Sequence, residues 1–130
     1  MSKKRKANLI LDEGKRSKVI AEYIWRNVGG KNLELLNGGH IEVPGLPKKV
    51  GVMVAVKIGK KKYGVGFSLT NTNAGDDFEP SLGMASAITR ALGFQVSPNV
   101  PDSMAEEFAS FTMRAKSYFK KSRIVNCPDY

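Results

Sequence analysis

The run Val50-Gly51-Val52-Met53-Val54-Ala55-Val56-Lys57-Ile58, then Gly59-Lys60-Lys61-Lys62, then Tyr63-Gly64-Val65-Gly66-Phe67-Ser68-Leu69 decides the fold. Val50, Val52, Val54, Val56 and Ile58 recur at every second position, so the first half reads as a strand with β-branched side chains on one face. The glycine–lysine segment turns the chain, and Tyr63, Val65, Phe67 and Leu69 alternate with Gly64, Gly66 and Ser68 as the return strand. One face of this hairpin, over about 50–69, is expected to be bulky and the other nearly bare. A bare face lets something flat or tightly packed approach the backbone.

Outward from the hairpin, Val19, Ile20, Tyr23, Ile24 and Val28 fall at three-to-four spacing before Gly29-Gly30. This predicts an amphipathic helix over 15–28, with Trp25 and Arg26 off its main stripe. His40-Ile41-Glu42-Val43 reads as a short strand ended by Pro44, while Leu33, Leu35 and Leu36 carry too little pattern to assign. A helix of small residues is predicted over 80–92, with Pro80 in its first turn and Gly93 as its stop. A third, over 103–121, starts at the capping-box pair Ser103 and Glu106 and carries Met104, Phe108, Phe111, Ala115 and Phe119 on one stripe. The expected architecture is α+β, a small antiparallel sheet with helices against one face. It forms a single domain over 1–130, with a basic flexible tail at 1–7 and a C-terminal tail at 124–130.

The 130 residues hold 21 Lys and Arg against 12 Asp and Glu, a formal net charge of +9 concentrated in the first half. No apolar run approaches the roughly 18–20 residues of a membrane span. Asn8-Leu9-Ile10-Leu11 is too short for a signal-peptide core. The expectation is a cytoplasmic protein, in the host cytoplasm if phage-encoded, with no membrane partner. The single cysteine, Cys127, excludes an internal disulfide and fits a reducing compartment.

Catalysis is weakly supported. His40 is the only histidine and has no Asp-x-His or Cys-His arrangement around it, and Cys127 falls in the C-terminal tail. One His and one Cys cannot make a structural zinc site within one chain. Asp76, Asp77 and Glu79 read as turn residues and as charges that complement a helix N-terminus. Gly64-Val65-Gly66 lacks the third glycine of a dinucleotide fingerprint. No enzyme activity, metal or cofactor is expected.

Anion binding is better supported, since a charge of +9 concentrates phosphate-bearing partners near the surface. Arg90 is the pointed case: it is the only base between Lys62 and Arg114 and lies among small side chains. Two uses stand open, a salt bridge to Asp76, Asp77 or Glu79, and a guanidinium fork for a phosphate. Asn71 and Asn73 are candidates for ribose or base-edge hydrogen bonds. Tyr63 and Phe67 are candidate stacking surfaces, with core packing the competing use of Phe67.

The pattern Gly66-Phe67-Ser68-Leu69-Thr70-Asn71, then Asp77-Phe78, Gly83, Ala87 and Arg90-Ala91, resembles the phage anti-Thoeris sponge family, over residues 64–91. Proteins of that family bind cyclic ADP-ribose isomers, some of them cyclic oligonucleotides, hold the immune signal without cleaving it, and assemble as homo-oligomers. The resemblance implies a non-catalytic protein that counteracts host defence by sequestering an anionic cyclic nucleotide. It implies Asn71 and Arg90 as ligand contacts and Arg26 as a further basic contact. The chain departs from the family pattern at Asp77-Phe78, which are adjacent, and at Thr70, where that pattern has cysteine. Two rival expectations remain: a nucleic-acid-binding accessory protein using the lysine-rich N-terminal half, and an inhibitor of a host protein.

Overall fold

The alternation at 50–69 forms the hairpin it predicts. The computed structural model describes residues 18–70 and 77–130. Its strands are β1 (Val19–Val28), β2 (Lys31–Glu34), β3 (His40–Val43), β4 (Leu46–Lys57), β5 (Lys62–Leu69) and β6 (Arg123–Asn126). Its helices are α1 (Pro80–Ala91) and α2 (Ala105–Tyr118), the second preceded by a 3-10 turn at Asp102–Met104. The main sheet has the order β1-β4-β5-β6, and β2 and β3 form a separate two-stranded ribbon. The fold is α+β, as expected.

The predicted helix over 15–28 is instead strand β1 across Val19–Val28, paired antiparallel with β4. The reason is burial on both faces. Val19, Ala21 and Tyr23 join the core under α1, while Ile20 and Ile24 join the core under α2. A strand covered on both sides loses its polar alternation and reads as a nearly continuous apolar run, which here counterfeits helical spacing. The β-branched content of the segment favours the strand.

The hairpin register corrects the bulky-and-bare reading. Val56 stands opposite Gly64, Val54 opposite Gly66 and Val52 opposite Ser68, so large β4 residues share a face with small β5 residues. On the other face Met53 meets Phe67 and Ala55 meets Val65. The glycine trough is filled by α1, whose Gly83, Ala87 and Ala91 are buried. A methyl group on Gly64 would collide with the Ala91 carbonyl oxygen, and one on Gly66 with that of Ala87. The aromatic stripe of α2 covers the opposite face, where Phe108 and Phe111 are fully buried with Phe67 and Tyr63. Helices therefore lie on both faces, not one.

The expected C-terminal tail also changes character. Residues 123–126 add β6 parallel to β5, which makes the sheet mixed instead of antiparallel. The chain end is then held by the Val100 amide donating to the Asp129 carbonyl at 2.6 Å and by Asn126 Nδ2 donating to the Ala91 carbonyl at 3.2 Å. The expected strand at His40–Val43 is β3, but its partner β2, over Lys31–Glu34, carries too little pattern to be read from the sequence. No helix among the described residues is long and apolar enough to cross a membrane.

Candidate anion-binding site

Arg90 lies in the last turn of α1, half-buried. Its Nη1 donates to the Phe67 carbonyl at 2.9 Å, and its Nε is buried without a hydrogen-bond partner. Among the described residues Arg90 makes no ion pair; Glu79 is occupied instead at the N-cap of α1, where it accepts from Ser81 Oγ at 3.0 Å. Asp76 lies outside the described residues. The salt-bridge alternative is thus not realised with Asp77 or Glu79.

Beside the guanidinium is a cavity of about 340 Å³, at the low end of the range for small-molecule sites. Val65 on β5 forms part of its wall, with three further stretches: Arg90 and the residues from Gly93 after α1, Ser97 and Asn99 on the following loop, and Asn126 to Asp129 at the chain end. Phe94 is 81 % exposed and forms an open aromatic wall. Asn126 and Ser97 supply neutral polar groups, while Asp129 places one carboxylate on the lining.

The structure scatters the other sequence candidates. Phe67 and Tyr63 are core residues, 2 % and 3 % exposed, with Phe67 edge-on to Phe108 and Tyr63 against Phe119. Neither offers a free face to a base. Burial, and secondarily Cys127, raises the Tyr63 pKa. Arg26 is ion-paired with Glu107 and donates to the Ser103 carbonyl at 2.8 Å, so it ties β1 to the start of α2 on the face away from α1. Asn71 and Asn73 lie outside the described residues. Of the candidates among the described residues, Arg90 is the one that lines a described cavity.

Phe94, Asn99 and Asn126 were missed. An aromatic residue directly after the helix-stopping Gly93, outside any periodic stripe, is the signal that could have found Phe94. Nothing local could have linked Asn126, since it reaches the site only through β6. Cys127 also lines the cavity, but burial and then the Asp129 charge raise its pKa, which keeps the thiol protonated and a poor nucleophile. Alkylation of Cys127 at neutral pH is therefore expected to run slower than that of a free cysteine peptide, with the rate rising at alkaline pH. A rate equal to the peptide's would contradict this. Because the folded state holds that proton more tightly, the same group lowers stability as pH rises above roughly 8.5. No family model, curated protein or solved structure matches this chain.

Proposed function

We propose that this is a non-catalytic binding protein that captures an anionic nucleotide at the Arg90 cavity, as the sponge family it resembles captures cyclic nucleotide signals. The observation that carries the reading is a guanidinium free of any carboxylate among the described residues, with an unsatisfied Nε, at a cavity walled by an exposed aromatic ring. A buried N–H without an acceptor costs about 1–3 kcal/mol, so a ligand that draws the guanidinium into a full set of hydrogen bonds is favoured. In this reading Arg90 neutralises the phosphate, Phe94 stacks with the base in place of Phe67 and Tyr63, and Ser97, Asn99 and Asn126 hold ribose hydroxyls. In this reading the ligand reaches the open rim of the cavity at Phe94 and Val96, which are 81 % and 92 % exposed. In the same reading a second copy of the chain packed across that rim encloses the ligand, so that the binding unit is a homo-oligomer. The protonated Cys127 at the wall fits holding without cleavage.

Differential scanning fluorimetry with cyclic ADP-ribose isomers, cyclic dinucleotides and ADP tests the proposal. A ligand at a hundredfold excess over its Kd adds about 2.7 kcal/mol to stability, a shift of several degrees for a chain of this size. Arg90→Ala should abolish the shift and Phe94→Ala should weaken it. The proposal is overturned if none of these compounds moves the melting temperature, or if Arg90→Ala responds as the unmodified protein does.

A further inference from the structure

Three separate segments bring cations to one end of the sheet: the lead into β1, the β4–β5 turn and the stretch from the C-terminal end of α2 into β6. Lys18, Lys57, Lys60 and Lys120 line one cavity of about 500 Å³. Lys61, Lys62, Lys121 and Arg123 line another of about 530 Å³. No carboxylate lines either one, and none of these cations is ion-paired among the described residues.

Two details show that the crowding is built in. Lys62 stands directly opposite Arg123 in the β5–β6 pairing, an arrangement that like charges disfavour. Lys57 is fixed in place by donating from Nζ to Ser122 Oγ at 2.8 Å, with its ammonium 5.9 Å from the Phe119 ring centre. Neutralisation by an external polyanion relieves the first, and the second holds the Lys57 ammonium in place to meet it. The aromatic residues at this end, Tyr118 and Phe119, are packed edge-on against each other at 4.9 Å and offer no stacking platform. A single strand relies on such platforms, whereas a duplex backbone needs only placed positive charge.

We infer that this end of the protein is a sequence-independent binding surface for the phosphate backbone of duplex nucleic acid, separate from the Arg90 cavity. Five neutralised phosphates give a slope of about −4.5 in log K against log salt, so a fourfold rise in salt weakens binding about 500-fold.

Fluorescence anisotropy with a labelled DNA duplex of about 25 bp, titrated from about 50 to 200 mM salt, reads this directly. The triple variant Lys60→Glu, Lys61→Glu, Lys120→Glu should lose at least about a hundredfold in affinity. The milder pair Lys60→Gln, Lys61→Gln, both at exposed positions, should make the slope shallower by about 1.8 while leaving the circular dichroism spectrum unchanged. Arg90→Ala should bind the duplex as the unmodified protein does, which separates this surface from the nucleotide site. Neutralising Lys3, Lys4, Arg5 and Lys6 to Ala should cost less than the triple variant. The inference is overturned if the glutamine pair leaves affinity and slope unchanged. It is equally overturned if the protein binds vesicles rich in anionic phospholipid and not the duplex.

Discussion

Arg114→Ala is expected to lower the unfolding free energy by about 3–5 kcal/mol, whereas Glu22→Met should be close to neutral. Glu22 lies on β1 between Ile20 and Ile24, faces α2 and is 2 % exposed. Arg114 reaches it from α2 with two hydrogen bonds, Nε to Oε2 at 2.5 Å and Nη2 to Oε1 at 2.6 Å. The two partners are not equally committed to the interior, because the Arg114 side chain is 49 % exposed. Without Glu22, the guanidinium turns into water and methionine fills the space with apolar volume. Without Arg114, a carboxylate stays among Ile20, Ile24 and Met53 with no counter-charge, which is the costly way to break a buried pair. Urea denaturation of the two variants measures the asymmetry. Equal losses would mean that the pair is solvated and that β1 is not held to α2 in this way.

The same strand shows where sequence reading stops. The hairpin, α1 and α2 were legible because each has one dominant period: two for β4 and β5, and three-to-four for helices with a single buried stripe. β1 was not, because helices on both sides of the sheet remove the polar face that distinguishes period two, and its apolar residues then fall at helix-like spacing. The pairing of Val56 with Gly64 was equally hidden. Alternation locates each strand's faces but leaves open which face of β4 shares a side with which face of β5, and the turn decides that. At the site, Arg90 was legible as an isolated base in a helix of small residues. Its surroundings were not, since Asn126 and Asp129 arrive from more than thirty positions away through a four-residue parallel strand. Tyr63 and Phe67 stood as candidate surfaces, with core packing the competing use of Phe67, because helices were expected against one face of the sheet only, whereas α2 covers the face that carries them.

Gly64→Ala is expected to cost about 1–3 kcal/mol, at the upper end of that range, and to disturb the Arg90 site from a distance. The added methyl group meets the carbonyl oxygen of Ala91, which is backbone, so no rotamer change relieves the collision. Either α1 lifts from the sheet or β5 bends away. Both movements strain the Arg90 Nη1 bond to the Phe67 carbonyl and the Asn126 bond to the Ala91 carbonyl, the two tethers that set the cavity wall. Gly83→Ala is the discriminating control, because its new methyl group meets the Phe78 ring, a side chain that can rotate aside. That variant should lose less, and Phe78→Leu beside it should recover most of the loss. Ala91→Gly should not rescue Gly64→Ala, since the obstructing atom is not in the Ala91 side chain. Thermal unfolding of the four variants, with ligand response measured on each, tests whether close approach of α1 to the glycine trough is what positions the guanidinium. A Gly64→Ala protein with undiminished stability and an unchanged ligand response would separate the helix contact from the site.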